Sequence, residues 1–396
     1  MGIPLLSLSE MDRDFVLALA SVATPFTVVG VWLVARRLVA IGWPLWLSVL
    51  FFLPAINLLF FAFLVLAPDK PPKAVLVAPV SKRWPDDMTM SIAYSASVTA
   101  LVGLLAMVIT LFAFPSYGWG TFLAVPFGMG VLSTLLHSMR VERKFTSCVV
   151  TALISLGICG FFLIAAAIEG AICLLMCIPI AVPLSILGVV VGQAIAQPGA
   201  RMGVTAAIVL MTVCPGIAAT EHYSAPVPEL FQVVTRVTIH APPARVWQNV
   251  VSFGELPAPD EWIFRAGIAY PVRARIEGSG VGAIRYCEFS TGPFVEPITK
   301  WDEPKLLAFD VKQNPDPMQE LSPYKIHPPH LDGFMKSERG QFRLIASADG
   351  TETVLEGSTW YRHKLYPAAY WQLWSDWLIH RIHTRVLQHI KQLSEA

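Results

Sequence analysis

Long apolar segments alternate with short polar turns along the first 220 residues. A helix that spans the apolar core of a bilayer needs about 20 mostly apolar residues. We therefore predict seven transmembrane helices, at residues 15–35, 45–66, 91–114, 121–139, 146–168, 170–192 and 203–219. The fifth and sixth helices meet at Glu169-Gly170, which indicates a tight hairpin.

The pattern changes beyond residue 220 to short segments with β-branched residues and frequent turns. It predicts strands at 233–240, 272–277, 282–290, 295–301, 306–312, 338–347 and 352–361, and helices at 244–253, 256–264 and 367–393. An apolar stripe with helical spacing follows the last helix: Trp371, Trp374, Leu378, Ile382, Val386, Ile390 and Leu393. This order predicts an α+β helix-grip fold, in which an antiparallel sheet wraps around one long helix.

Charge is distributed unevenly between these two parts. Residues 1–220 hold 11 of the 29 Lys/Arg and 8 of the 28 Asp/Glu residues. With 55% hydrophobic residues, this composition excludes an ordinary soluble protein, and a net charge of +1 gives no reason to expect a nucleic-acid partner. We predict an α-helical multi-pass membrane domain at 1–220, a linker at 221–232 and a globular domain at 233–396.

The Lys/Arg residues of the short loops predict orientation in the cell membrane. With the N-terminus in the cytoplasm, nine of them lie inside, and only Arg36 and Arg37 lie outside. Seven spans would then put the globular domain on the non-cytoplasmic side.

Cysteine and histidine positions do not predict a cofactor. The globular domain has one cysteine, Cys287, so it has no internal disulfide. Cys173 and Cys177 share a helix face, and we interpret them as packing residues. The spacing of Asp376, His380 and His383 would suit zinc, but we interpret that face as solvated or as a domain interface. We expect no metal and no cofactor.

Five segments of the globular domain resemble the START/Bet v 1-like superfamily, also labelled SRPBCC or polyketide cyclase/dehydrase and lipid transport. They are residues 238–247 (TIHAPPARVW), 280–285 (GVGAIR), 296–301 (EPITKW), 307–309 (LAF) and 353–360 (TVLEGSTW), followed by the long last helix. The resemblance covers residues 233–393. It implies an apolar cavity between the sheet and the last helix, which holds lipids, sterols or polyketides in many members. A minority are cyclases, dehydrases or hydrolases.

A second, shorter resemblance concerns residues 36–58. Arg36-Arg37-Leu38, Gly42-Trp43, Pro54 and Asn57-Leu58 look like part of a bacterial multi-pass family, the DUF805 type. That resemblance implies a cytoplasmic Arg-Arg-Leu turn, against the charge bias.

The candidate site residues belong to three groups: residues of a long loop, a charged pair on two strands, and three tryptophans. The loop at 314–333 contains Tyr324, His327 and His330. It suits a lid over the cavity mouth, a metal site that includes Asp332, or a plain structural loop. Arg285 and Glu296 would orient a polar ligand head or form a buried structural pair. The tryptophans predicted to line the cavity, or else to fill a solid core, are Trp360, Trp371 and Trp374.

These expectations favour membrane-anchored binding or transfer of a hydrophobic small molecule or lipid, with the bilayer and that ligand as partners. One alternative is an enzyme of cyclase, dehydrase or hydrolase type with His327 or His330 as general base. Another is a non-catalytic interaction module with a solidly packed interior and an unknown protein partner.

Overall fold

The computed structural model describes residues 87–196, 201–224 and 227–396, with isolated positions between residues 33 and 67. The predicted spans at 15–35 and 45–66 lie largely outside the described residues. The chain divides into two compact units. The helical unit takes its described residues from Met1–Cys159 and Pro179–Pro226, and the second, mixed unit comprises Gly160–Ile178 and Val227–Ala396.

Helices make up the first part of the described chain. They are α1 (Met88–Ala113), a π-helical turn (Gly120–Ala124) that runs into α2 (Val125–His137), α3 (Phe145–Ala165), α4 (Ala171–Ile195) and α5 (Arg201–Ser224). Among the described residues, four helical segments are long and apolar enough to cross a membrane: α1, Gly120–His137, α3 and α4. They coincide with the third to sixth predicted spans. The predicted span at 203–219 lies within α5, which is not among these four.

The helical unit carries its apolar side chains on its outside. Leu101, Leu105 and Phe112 of α1 are between 59% and 67% exposed. The segment Gly120–His137 is instead mostly buried among its neighbours. Monomeric soluble proteins rarely expose large apolar patches, whereas lipid-facing helices do so routinely. This surface is therefore compatible with a multi-pass membrane protein.

Glycines let α2 and α4 approach closely within the helical unit. A Cβ atom on Gly130 would lie 2.0 Å from the Ser185 carbonyl oxygen, and one on Gly188 would lie 2.2 Å from the Phe127 carbonyl oxygen. Larger residues at either position would force the two backbones apart. Small residues serve this purpose in membrane helix pairs, where van der Waals packing drives association.

The mixed unit contains the strands and three further helices. They are β1 (Phe231–Ile239), α6 (Pro243–Val251), α7 (Trp262–Ala266), β2 (Pro271–Glu277), β3 (Ile284–Phe289), β4 (Gly292–Asp302), β5 (Leu306–Asp310), a 3₁₀ turn (Pro329–Leu331), β6 (Met335–Ala346), β7 (Thr353–His363) and α8 (Ala368–Glu395). Each strand and the long last helix lie where the sequence pattern predicted them, with shifts of a few residues at their ends.

The seven strands form one antiparallel sheet in the order β1-β7-β6-β5-β4-β3-β2. Successive hairpins join β2 to β7, and β1 closes the far edge beside β7. Gly280 and Gly350 turn two of these hairpins with φ of +78° and +72°, a conformation that glycine adopts without strain. The three glycines at 278, 280 and 282 thus belong to a hairpin turn.

One face of the sheet packs on α6 and α8. The core between them includes Trp247, Leu307, Leu355, Leu387 and Ile390, all buried. The predicted stripe on α8 is largely confirmed, since Trp371, Leu378, Val386 and Ile390 are buried. The prediction for Leu393 is wrong, because the buried positions end with Val386, Ile390 and Ser394 at i, i+4 spacing and Leu393 is 39% exposed.

Hydrogen bonds also fasten α8 to β1 and β7. The Tyr361 hydroxyl donates to Asp376, with an O···O distance of 2.6 Å. His383 contacts Thr235 at 3.1 Å and Thr359 at 2.7 Å. His380 contacts Thr235 at 2.9 Å. This face of α8, which we interpreted as solvated or as a domain interface, is therefore bonded to the sheet of its own unit.

Candidate functional site

The interior of the mixed unit contains a buried charged pair, Arg285 and Glu296. The register of β3 and β4 places the two residues directly opposite each other. Alternation along β3 puts Cys287 on the same face as Arg285. Arg285 is 1% exposed and Glu296 is 6% exposed. Nη1 of Arg285 donates a hydrogen bond to Oε2 of Glu296. The structure therefore brings two of the predicted site residues together inside the fold.

Most of the surroundings of Arg285 are aromatic. Its Cζ atom lies 5.7 Å from the ring centres of Phe253 and Phe309, and 5.4 Å from that of Phe342. Nε and Nη2 of Arg285 have no partner in hydrogen-bonding geometry among the described residues, and the Cys287 thiol also lies beside the guanidinium. Buried side-chain donors normally have a partner, and a missing partner costs about 1–3 kcal/mol, more for a charged group. Arg285 is thus a buried charged group with two donors that the fold leaves unsatisfied.

Burial and charge set the protonation of this cluster. Burial acts to lower the pKa of Arg285, but Glu296 and Cys287 outweigh it, so this pKa lies above its ordinary value. Burial raises the pKa of Glu296, and the Arg285 guanidinium opposes that shift. Burial raises the pKa of the Cys287 thiol to about 12. Cys287 is therefore a neutral thiol at physiological pH and a poor nucleophile.

A histidine of α8 lies against the same aromatic wall. The ring centre of His389 is 5.8 Å from that of Phe253. Both ring nitrogens of His389 are buried and hydrogen-bond to no described residue. Burial, together with the Arg385 charge, lowers the pKa of His389, so the imidazole is neutral at physiological pH.

The long loop after β5 does not bring its two predicted histidines together. Tyr324 is 55% exposed on this loop. His327 is half-exposed, with Nε2 2.8 Å from Asp332 and Nδ1 3.5 Å from Asp316. His330, in contrast, is almost completely buried. A metal site formed by His327, His330 and Asp332 is therefore not present in the described loop.

His330 lies between two buried carboxylates. Nδ1 is 3.1 Å from Oε2 of Glu169, and Nε2 is 3.4 Å from Oε1 of Glu320. Burial acts to lower the pKa of His330, but its bonds to Glu169 and Glu320 and their charges outweigh it and raise this pKa to about 9. His330 is therefore protonated at physiological pH and is not available there as a general base. It packs inside the mixed unit, beside Glu169 and Glu320.

The three predicted tryptophans are remote from Arg285 or turned away from the interior. Trp360 lies on the face of β7 opposite to Thr359, which contacts α8, and Arg339 stacks over its ring at 4.6 Å. Trp371 is buried and Trp374 is half-buried. They precede His389 by 18 and 15 residues, which is about 27 and 22 Å along the helix. Phe253, Phe309 and Phe342 surround Arg285 instead, and the sequence pattern did not single them out.

Comparison with known proteins adds a likeness of fold in the C-terminal part. No protein-family model matches the chain, and no curated protein matches it, so the resemblance of residues 36–58 to the DUF805 type has no support. A point mutant of norcoclaurine synthase from Thalictrum flavum, in complex with a transition-state analogue, is 12% identical with a TM-score of 0.28, over 42% of this chain and 96% of that one. The Zhui aromatase/cyclase from Streptomyces sp. R1128 is 14% identical with a TM-score of 0.27, over 42% and 94%. A protein from Nitrosospira multiformis is 16% identical with a TM-score of 0.27, over 41% and 94%. We draw nothing about ligand or chemistry from likenesses of this size.

Proposed function

We propose that this protein is a membrane-anchored binding protein for a hydrophobic molecule that carries an acceptor oxygen. The observation that carries the proposal is the pair of unpartnered donors on Arg285, buried among three phenylalanine rings. The rings would contact the apolar body of the ligand, and Nε and Nη2 of Arg285 would hold its oxygen. The apolar surface of the helical unit supports a membrane location for this binding.

The charge balance of the site favours a neutral oxygen, such as a carbonyl or hydroxyl, over a carboxylate. Glu296 already pairs with Arg285, so a second anion would enter as an unpaired buried charge. The cost of burying such an ion is several kcal/mol. A hydrogen bond from a charged donor to a neutral oxygen contributes about 1.5–3 kcal/mol without that cost. An apolar ketone or alcohol is therefore the ligand class that we expect.

Ligand retention by the full-length protein tests this proposal. The protein is purified in detergent, extracted with organic solvent and analysed by mass spectrometry, beside the double variant Arg285→Met/Glu296→Leu. We expect a stoichiometric apolar molecule in the wild type, bound at least 10-fold more weakly by the variant, since about 1.5–3 kcal/mol corresponds to roughly 10- to 150-fold in affinity. The double variant avoids an unpaired charge in the core.

The matched control is Arg275→Met, which removes an exposed arginine from the neighbouring strand β2. It should retain the ligand at the wild-type level. Equal retention by the wild type and the double variant would contradict the role of Arg285. A wild type that is folded but empty would favour a non-catalytic interaction module.

His389 supports a second candidate function, an enzyme of cyclase or dehydrase type. A neutral imidazole without a partner, beside the same phenylalanine as Arg285, has the properties of a general base. In this case the molecule bound to His389→Gln should differ in mass or unsaturation from that bound to the wild type. An identical molecule in both would leave binding as the function.

Contacts inside the mixed unit bear on how many helices cross the membrane. The α3–α4 turn contributes Glu169, which meets His330 of the globular part. Two helices, α4 and α5, separate that turn from β1. If only α4 crossed, the turn and the globular part would lie on opposite sides and could not touch. We therefore include α5 as a fifth crossing among the described helices. The side itself stays a prediction from the charge bias.

This topology predicts which surface positions share a side of the membrane. Cysteines introduced at Ala167 and Asp349, both exposed, should react with a membrane-impermeant thiol reagent in the same preparation. A cysteine at exposed Glu142, in the α2–α3 turn, should react only from the other side. Wild-type protein measures the background from the native thiols. Labelling of positions 167 and 349 from opposite sides would contradict the crossing of α5.

A further inference from the structure

We propose that Glu169, Cys173 and His330 form a binding site for a divalent zinc-type cation inside the mixed unit. One carboxylate oxygen, the thiol sulfur and one ring nitrogen lie within 4.8 Å of one another. All three residues are buried. This site is distinct from the Arg285 cluster and does not depend on the ligand-binding proposal.

The fold supplies these groups from two distant parts of the sequence. Glu169 lies in the α3–α4 turn, and Cys173 follows one helical turn later near the start of α4. The turn nevertheless brings a carboxylate oxygen of Glu169 within 4.8 Å of the Cys173 sulfur. His330 comes from the 3₁₀ turn at Pro329–Leu331 in the long loop. A cation would therefore link this loop to the helical turn.

Glu320 has the position of an orienting partner for His330. Its carboxylate accepts hydrogen bonds from the backbone N–H groups of Ile172 at 3.1 Å and Cys173 at 3.2 Å, which hold it at the start of α4. From there it faces Nε2 of His330. Histidines that bind metals usually donate their other ring N–H to a carboxylate in this manner. Nδ1, on the side of Glu169, is then the nitrogen offered to the metal.

The set of donor atoms favours zinc over the harder cations. Thiolate and imidazole groups suit Zn²⁺, whereas Mg²⁺ and Ca²⁺ prefer oxygen ligands alone. Three protein ligands leave one tetrahedral position for water, as in open zinc sites. The Cys177 thiol contacts that of Cys173 and is the alternative fourth ligand. Binding requires the Cys173 thiolate and a neutral His330, so the thiol proton and the Nδ1 proton of His330 both pass to solvent.

This site could not be predicted from the sequence, because its residues are far apart in the chain. We interpreted Cys173 and Cys177 as packing residues on an apolar helix. His330 and Glu320 reach Cys173 only after the long loop has packed against the start of α4. This packing joins groups about 150 residues apart in the chain.

Cobalt(II) is the probe for the test, because it reports thiolate coordination spectroscopically. Full-length protein is depleted of metal with a chelator, titrated with Co²⁺ in detergent and back-titrated with Zn²⁺. We expect one equivalent of Co²⁺ with a thiolate charge-transfer band in the near ultraviolet, abolished by Zn²⁺. Cys173→Ser and His330→Gln should remove the band. Glu320→Gln should weaken Co²⁺ affinity about 10- to 100-fold.

His327→Gln and Cys287→Ser are the matched controls, since they change a histidine of the same loop and a thiol elsewhere in the unit. Both should keep the wild-type spectrum. Cys177→Ser separates the two versions of the site, because it alters the band only if Cys177 is the fourth ligand. Folded wild type without stoichiometric Co²⁺ uptake, or a band that persists in Cys173→Ser, would overturn the proposal. The wild-type titration decides even if a variant fails to fold.

Discussion

Replacement of Arg285 alone by methionine should lower the free energy of unfolding of the mixed unit by about 3–5 kcal/mol. The reason is that Glu296, 6% exposed, would be left as an uncompensated buried carboxylate. Few single substitutions cost this much, since the typical range is about 0.5–3 kcal/mol. Chemical denaturation in detergent, followed by tryptophan fluorescence, measures the loss.

The double variant Arg285→Met/Glu296→Leu should recover most of that loss. Apolar residues of similar volume often replace a buried ion pair at no net cost. A double variant as unstable as the single one would show that packing, rather than the unpaired charge, causes the effect. Arg275→Met, which removes an exposed arginine, should have little effect.

If the pair can be replaced without loss of stability, its retention in this sequence needs another explanation. The two unpartnered donors of Arg285 provide one, because they add nothing to the fold without a ligand. Stability and ligand retention together therefore separate a structural pair from a binding group. Recovered stability with lost ligand would be the signature of the binding site.

Acidification from pH 7 to pH 4 should destabilise the mixed unit through His383 by about 3 kcal/mol. Burial, with a smaller effect of the His380 charge, lowers the pKa of His383 to about 4. In the unfolded chain this histidine takes up its proton near pH 6.5. Between these two values the unfolded state binds more protons, so stability is complete above about pH 6.5 and falls as the pH drops toward 4.

The variant His383→Gln isolates this contribution. Glutamine keeps a donor and an acceptor for Thr235 and Thr359 but does not titrate. The difference in unfolding free energy between wild type and variant should therefore shrink or reverse as the pH falls from 6.5 to 4. His240→Gln, at an exposed histidine, is the control for the general acid response. A difference that stays constant with pH would contradict the neutral, buried state of His383.

The strands and the long last helix of the mixed unit could be predicted from local patterns. Only a few adjacent residues are needed to recognise a turn glycine, such as Gly280 or Gly350, or the apolar spacing on α8. The four described helices that can cross a membrane could also be predicted from the sequence, since length and composition alone define them. The prediction was wrong for Leu393, because hydrophobicity alone does not show which face of α8 is buried near its C-terminal end.

The candidate sites depended far more on tertiary contacts. Arg285 and Glu296 were candidates from the sequence, and the register of the neighbouring strands β3 and β4 places them opposite each other. The phenylalanines around Arg285 come from α6's end, β5 and β6, and no local pattern marks them as a group. The tryptophans were chosen because large aromatic side chains often line apolar sites. Strand alternation turns Trp360 away from the core, and the length of α8 separates Trp371 from His389.

The sequence by itself determined the elements: apolar helices, a meander of strands and an amphipathic last helix, because hydrophobic periodicity is a local property. Only the tertiary structure decided what the polar residues do. Whether two of the donors of Arg285 lack partners, or whether His330 lies among Glu169, Glu320 and Cys173, depends on contacts between segments that are distant in the chain. Burial and charge at such positions follow from packing in three dimensions, and hydrophobic spacing along one segment carries no information about them.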